Sequence, residues 1–195
     1  MINHPSDPPP TPGPAGFPVD MIRAHLRDIP SFGLPAGFAF RPMQPEDGPT
    51  WDDLWRDAEP YFQITSGKFT QEFGGDLPAI PRRCFLLVDA GGKAIGTISA
   101  WYDTHHPGQD YGRVHWLAIR RSYQGRGLAK AMMTHALNVL AQWHQRAVLT
   151  TQTRRCGALK LYLDFGFAPD LSAPGAIDAW RTVKAALPHP ALRAI

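Results

Sequence analysis

The sequence predicts a single α/β domain, and three observations carry that reading. Short apolar runs bounded by Gly, Pro and polar clusters alternate with stretches whose apolar residues recur at three- and four-residue steps. An apolar run, a basic glycine-containing turn and an amphipathic helix start follow one another without a break over residues 113–130. With 195 residues and 44% hydrophobic content, the chain can build one core of ordinary size, and a second full domain is not expected.

The elements can be justified in order. Residues 1–20 contain seven prolines with Gly13 and Gly16, a composition that buries little apolar area, so a solvated and disordered tail is expected there. Val19, Ile22, Leu26 and Ile29 recur at helical spacing until Pro30, Gly33, Pro35 and Gly37 interrupt them, which reads as a short docked connecting segment over 21–36. The folded domain is expected over 37–188, with a short tail at 189–195. It opens with a strand at Phe38 to Arg41 and a helix of about a dozen residues after Asp47, with Trp51, Leu54, Trp55 and Ala58 on its apolar side. A shorter helix is expected over Phe69 to Phe73. Cys84 to Asp89 and Ala94 to Tyr102 flank Ala90-Gly91-Gly92-Lys93, an ordinary hairpin signal. After a polar loop, Asp103 to Gly112, comes the strand that contains His115. The next helix places Leu128, Ala131, Met132, Ala136, Leu137, Val139, Leu140 and Trp143 on one face. A run from Ala147 to Thr153, a helix from Ala158 to Phe165 stopped by Gly166-Phe167, and an extended stretch from Ala179 to Leu187 complete the order.

The turn after the His115 strand is built to hold an anion. A helix start leaves about four backbone N–H groups without intrahelical partners, and the peptide dipoles add roughly half a positive charge there. Gly125 and Gly127 remove side chains that would keep a ligand off those amides, while Arg120, Arg121, Arg126 and Lys130 raise the local potential. Two familiar phosphate loops are excluded on named residues. Nothing supplies Gly-x-x-x-x-Gly-Lys-Ser/Thr, and a dinucleotide fingerprint would need Gly or Ala at Lys130 and an acid about twenty residues on, where the chain reads Val148-Leu149-Thr150-Thr151.

Gln124-x-x-Gly127-x-Ala129 between a strand and a helix, followed by Tyr162 four residues ahead of Gly166-Phe167, resembles the two motifs of the GNAT superfamily of acyl-CoA-dependent N-acyltransferases. The resemblance covers roughly residues 37–188. It implies a mixed, mostly antiparallel sheet of about six to seven strands, splayed beside the His115 strand and flanked by about four helices. It further implies that the cosubstrate acetyl-CoA lies along Leu117, Ala118 and Ile119 and is bound by Gln124, Gly125, Arg126, Gly127, Leu128, Ala129 and Lys130, with its pyrophosphate on the amides of residues 125–130. The Leu117 N–H would point at the thioester oxygen, and Tyr162 would protonate the departing thiolate. Where relatives often carry Asn, three residues before Ala158, this chain has Arg155, so Arg154 and Arg155 are read either as phosphate contacts or as solvated surface.

His115 matches a functional His of the superfamily's arylalkylamine acetyltransferases, and a neutral imidazole can take a proton from an ammonium directly or through water. In a regular strand His115 and Leu117, two residues apart, would project from one face toward the reacting centre. The alternative is a His filling a polar gap beside Trp116. For the acceptor pocket, Tyr61, Phe62, Phe69, Phe73, Trp101 and Tyr102 are candidate walls, with Glu59, Glu72, Asp76 and Asp103 as candidate ammonium partners. Phe62, Phe73, Trp101 and Tyr102 are the principal choices.

Other features carry no chemistry of their own. Cys84 and Cys156 form neither a disulfide framework nor a metal-ligand spacing, adjacent His105 and His106 lack a Cys or acidic cluster to complete a zinc set, and no metal is expected. Met132 and Met133 belong to a helix core, and Ser99 lacks the second Gly of a nucleophile elbow. No apolar run reaches membrane-spanning length and the start lacks a secretory pattern, so a cytoplasmic protein is expected without a membrane partner. The net charge of +3 does not demand nucleic acid. A homodimer is compatible with the sequence. The leading function is transfer of acetyl from acetyl-CoA to a primary amine, favouring a small molecule, by direct attack in a ternary complex. Acetylation of peptide or protein amines, a non-catalytic acyl-CoA-binding module and a basic nucleic-acid binder stand behind it.

Overall fold

A computed structural model describes residues 16–104, 106 and 110–195. Its strands are β1 (Pro18–Arg23), β2 (Phe38–Pro42), β3 (Cys84–Asp89), β4 (Ala94–Tyr102), β5 (Tyr111–Ile119), β6 (Arg146–Gln152) and β7 (Ala168–Pro169). They form one sheet in the order β2-β3-β4-β5-β6-β1-β7, antiparallel throughout except for the β5–β6 pair. Four longer helices flank it, α1 (Gly48–Ala58), α4 (Leu128–Leu140), α5 (Cys156–Asp164) and α6 (Ala176–Ala186), with short α2 (Lys68–Phe73) and α3 (Ile80–Arg83) beside α1.

Each face of the sheet carries its own apolar layer. On one side α4, α5 and α6 bury Leu128, Met132, Leu137, Leu159, Phe165 and Trp180 against Leu87, Ile98, Val114 and Met21. On the other, α1 to α3 bury Trp51, Leu54, Phe69, Phe73 and Ile80 against Leu86, Trp101 and Ala118. The two short helices are tied down by polar contacts. Asp52 of α1 is buried because its carboxylate accepts the N–H groups of Gly67 (2.8 Å) and Phe69 (3.0 Å), supplying the acceptors that the start of α2 needs. In the β3–β4 turn, the Asp89 carboxylate accepts from Gly91 and Lys93, and Gly92 takes the positive φ of 79° that the turn requires.

The structure corrects several sequence expectations. Residues 18–20, assigned to the tail, and 21–23 form β1, paired with β6 from Pro18↔Gln152 to Arg23↔Ala147. The residues that β1 buries there are Val19, Met21 and Arg23, at period two, rather than the helical set Val19, Ile22, Leu26, Ile29. Downstream, the segment before β2 does dock: Thr134 of α4 donates to Pro30 O and accepts from Phe32 N–H. Ala179 to Leu187, expected to be extended, lie in α6 and its C-cap, since Trp180 and Val183 share one buried face. The expected C-terminal tail folds back as a short 3-10 turn, and Leu192 is fully buried. Trp143 lies past the end of α4 and is exposed, so it does not belong to the packed face. Most of the expected tail, 1–15, and His105 lie outside the described residues.

Candidate functional site

β5 and β6 pair only at Tyr111↔Arg146, Gly112↔Ala147 and Arg113↔Val148, and beyond that point the two strands diverge. On its other edge β5 is irregular. Thr97 pairs with Ala118 but Ser99 with His115, so Ile98 alone stands opposite Trp116 and Leu117. This is a β-bulge, and Trp116 absorbs it with a φ of +52°. A bulky side chain in that left-handed region costs on the order of 1–2 kcal/mol. Compensation comes from edge-on contacts with Trp51 (5.1 Å) and Trp55 (4.7 Å), and from the Trp116 Nε1–H donated to Glu72 at 2.9 Å.

The bulge overturns the expectation that His115 and Leu117 share a face. His115 turns to the α1–α2 side against Phe73 (5.9 Å), Trp116 follows it there, and Leu117 packs on the α4 side. Leu117 therefore contributes backbone to a stretch where neither neighbouring strand supplies a paired residue, which is where an amide can serve a ligand.

A cleft of about 690 Å³ opens from this divergence, lined by 117–119, 123–130 and the first turns of α5. Every residue that the sequence assigned to the cofactor lies along it: Leu117, Ala118, Ile119 and Gln124 to Lys130. Gly125 and Gly127 both sit at φ +76°, and Gly127 caps the N-terminus of α4. A Cβ at either would meet no protein atom within 4 Å, so these glycines serve the left-handed turn and keep the cleft side of the loop bare. The Gln124 side chain donates to Ile119 O at 2.8 Å and shapes the loop. Among the basic residues near the loop, Arg120 is bound to Asp53 (2.7 Å) and Arg126 lies over the Tyr123 ring at 4.8 Å. A bare helix N-terminus beside a long cleft fits a phosphate-bearing, extended cosubstrate.

A second cavity of about 260 Å³ adjoins the cleft, and Trp55, Leu117, Arg155 and Tyr162 line both. Tyr162 is 9% exposed, and burial pushes its hydroxyl up to about 12 against the opposing pull of Arg155. Arg155 donates to Glu59 at 2.6 Å and lies over the Tyr61 ring at 5.0 Å, while Arg154 stacks on the same ring at 4.1 Å. Arg155 thus sits at the junction of the two cavities as half of an ion pair, rather than as solvated surface.

His115 lines the second cavity, with its Nε2 3.1 Å from Glu72 Oε2. Because a carboxylate can only accept, Nε2 carries the proton, and a neutral ring then keeps its lone pair on Nδ1. The His115 hydrogen bond, aided by Lys68 and Trp116 and opposed by burial, holds the Glu72 carboxyl at about 2 against an ordinary 4.5. Glu72 was a candidate ammonium partner in the sequence; it is instead the group that orients His115 and Trp116.

A model of the acetyltransferase (GNAT) family matches residues 49–167, more than half of the chain. The chain belongs to the GNAT acetyltransferase family. Solved structures agree on the fold. A GCN5-related N-acetyltransferase from Sphaerobacter thermophilus superposes with a TM-score of 0.58 at 23% identity, covering 80% of this chain and 50% of that one. A GNAT acetyltransferase from Colwellia psychrerythraea gives 0.60 at 14%, covering 80% and 54%. A GCN5-related N-acetyltransferase from Kribbella flavida gives 0.52 at 17%, covering 80% and 55%. The chain therefore spans about half the length of these proteins. No curated protein matches it in sequence.

Within this GNAT fold the expected acceptor walls are distributed unevenly. Phe62 lines the second cavity. Phe69, Phe73 and Trp101 are buried in the core under α1 and α2, because edge contacts such as Phe73–Trp101 (5.0 Å) complete that layer. Tyr102 stacks on the Arg83 guanidinium (4.0 Å) and does not line the cavity. Two groups lining the cavity were not singled out by the sequence, Trp55 as a wall and Arg113 as a cation. Among the described residues no cluster of three His, Cys, Asp or Glu could hold a metal ion, and no helix is long and apolar enough to cross a membrane.

Proposed function

We propose that this chain is an N-acetyltransferase that moves acetyl from acetyl-CoA to the primary amine of a small molecule by direct attack in a ternary complex. The observation that carries the reading is that the long cleft and the small cavity meet at Leu117 and Tyr162, so one reactant in each would touch at that junction. The family uses acyl-CoA as cosubstrate, and the bare α4 N-terminus with two left-handed glycines suits its pyrophosphate.

In this reading His115, held by Glu72, takes the proton from the acceptor ammonium. The freed amine attacks the thioester carbon while the Leu117 N–H donates to the oxygen on which negative charge develops, a contribution of about a few kcal/mol. The carbon–sulfur bond then breaks, and the Tyr162 hydroxyl delivers its proton to the leaving thiolate. The surplus proton on the new amide nitrogen passes through solvent to restore the Tyr162 hydroxyl, and His115 releases the proton it took to bulk water. The size of the second cavity supports a small acceptor over a peptide. Release of CoA thiol measured over small amines, polyamines, amino acids and Lys- or N-terminal peptides tests the proposal. Turnover with small amines is expected. Activity confined to peptides would sink the small-molecule reading, and binding of CoA without turnover of any amine would leave only a binding module.

A further inference from the structure

The small cavity is electrostatically one-sided. The four acids that the sequence offered for an ammonium are all engaged: Glu59, fully buried, accepts from Arg155 (2.6 Å) and Tyr61 N–H (2.7 Å), and Glu72 accepts from Lys68, His115 and Trp116. Asp76 accepts from Tyr102, and Asp103 from His106, and neither lines the cavity. Arg113 does line it. Among the described residues its guanidinium pairs with no carboxylate; its side-chain contact is a long 3.4 Å hydrogen bond to the Thr150 hydroxyl, which itself donates to Asp20 at 2.6 Å.

Resting on the acetyltransferase reading above, we propose that the acceptor carries an anionic group as well as its amine, an amino acid in the chemical sense, and that Arg113 holds that anion. Arg113 and His115 pair with Trp101 and Ser99 in unbroken register ahead of the bulge, so they project from the same face of β5. Their Cα atoms are about 7 Å apart, which separates an anion seat from the base by the length of a short amino acid. A carboxylate on Arg113 also points the amine at the far end toward His115 and the junction at Leu117. The fork of a guanidinium matches a carboxylate in two hydrogen bonds, whereas a second cation in the same cavity would be repelled.

The test compares kcat/KM of the full chain for amino acids such as glycine, β-alanine, 4-aminobutyrate and glutamate with that for the corresponding amines and amides lacking the carboxylate, and for putrescine. The acids are expected to lead by roughly 10- to 100-fold, through KM. Arg113→Met should collapse that ratio toward one, and Arg113→Lys should retain part of it, with far-ultraviolet circular dichroism confirming that both variants fold. Equal use of acids and uncharged analogues by the parent, or an unchanged ratio in Arg113→Met, would overturn the proposal while leaving acetyl transfer intact. Absence of turnover with every amine would remove the acetyltransferase reading first, and this one with it.

Discussion

Burial holds the Tyr162 hydroxyl up to about 12, so it remains protonated throughout the pH range in which an amine can be acetylated and is ready as a proton donor. Tyr162→Phe should lower kcat by about 100-fold, with acetyl-CoA affinity nearly unchanged because the ring still packs against Phe167. Single-turnover kinetics beside equilibrium CoA binding separates the two effects, and an unchanged kcat would remove Tyr162 from the chemistry. The His115–Glu72 pair predicts a different signature. Glu72 titrates near 2 in the fold against an ordinary 4.5, so the stability it contributes is present above 4.5 and is lost as pH falls toward 2. Glu72→Gln should flatten that acid limb of the denaturation profile and lower kcat by roughly tenfold by releasing the His115 ring. A parental acid limb would show that the pair does not couple to folding. His115→Gln should lose most rate at acidic to neutral pH, where the acceptor is protonated; a near-parental rate at every pH would demote the ring to packing. Tyr162 could be read from the sequence because its spacing to Gly166-Phe167 is local. Glu72 stands 43 residues from His115, and no local spacing could join them. Nor does anything in Val-His-Trp-Leu show that Trp116 takes a positive φ, which arises from the register of β5 against β4.

At the scale of elements, the glycine loop and the end of α5 make opposite predictions for one kind of substitution. Gly127→Val forces a β-branched side chain to φ +76° at a cost of about 1–3 kcal/mol, but the new Cβ meets no protein atom within 4 Å. Stability should fall modestly while CoA affinity, measured by titration calorimetry, collapses, because the side chain occupies the cleft. Gly166→Val starts from a similar φ of +77°, yet its Cβ would strike the Arg23 guanidinium that donates to Phe165, Arg27 and Asp28 carbonyls. That variant should unfold at much lower denaturant. Equal effects on folding would contradict the distinction. The hairpin, α1, α2 and α4 were legible because their period and turn residues agree over many positions. β1 was not, since only two of its three buried residues at period two, Val19 and Met21, are apolar and the third is Arg23, too weak a pattern to outweigh the prolines before them. α6 was not either, because its buried face rests on Trp180 and Val183 alone and the left-handed conformation of its Gly175 cap shows only in the structure.

For the whole molecule, the matched family region and the folding unit are not the same thing. The GNAT model covers residues 49–167, whereas β1 lies between β6 and β7 in the sheet, β2 forms its far edge, and Trp180 of α6 and Leu192 belong to the same apolar layer as β1 and α4. A fragment of 49–167 would leave the β6 edge without its six-residue partner and expose Leu149 and other members of the apolar layer to which Trp180 and Met21 belong. Each large apolar side chain so uncovered costs about 1.5–3 kcal/mol, and several together exceed the stability of an ordinary domain. The fragment should therefore show no cooperative thermal transition and should aggregate through its open edge, while the full chain melts in one step. Trp180→Ala in the full chain gives the graded version: a loss of about 3–5 kcal/mol with CoA binding retained by the molecules that remain folded, because α6 lies away from the cleft. A fragment of 49–167 that melts cooperatively and binds CoA would show that β1 and α6 are additions to the fold and not parts of it.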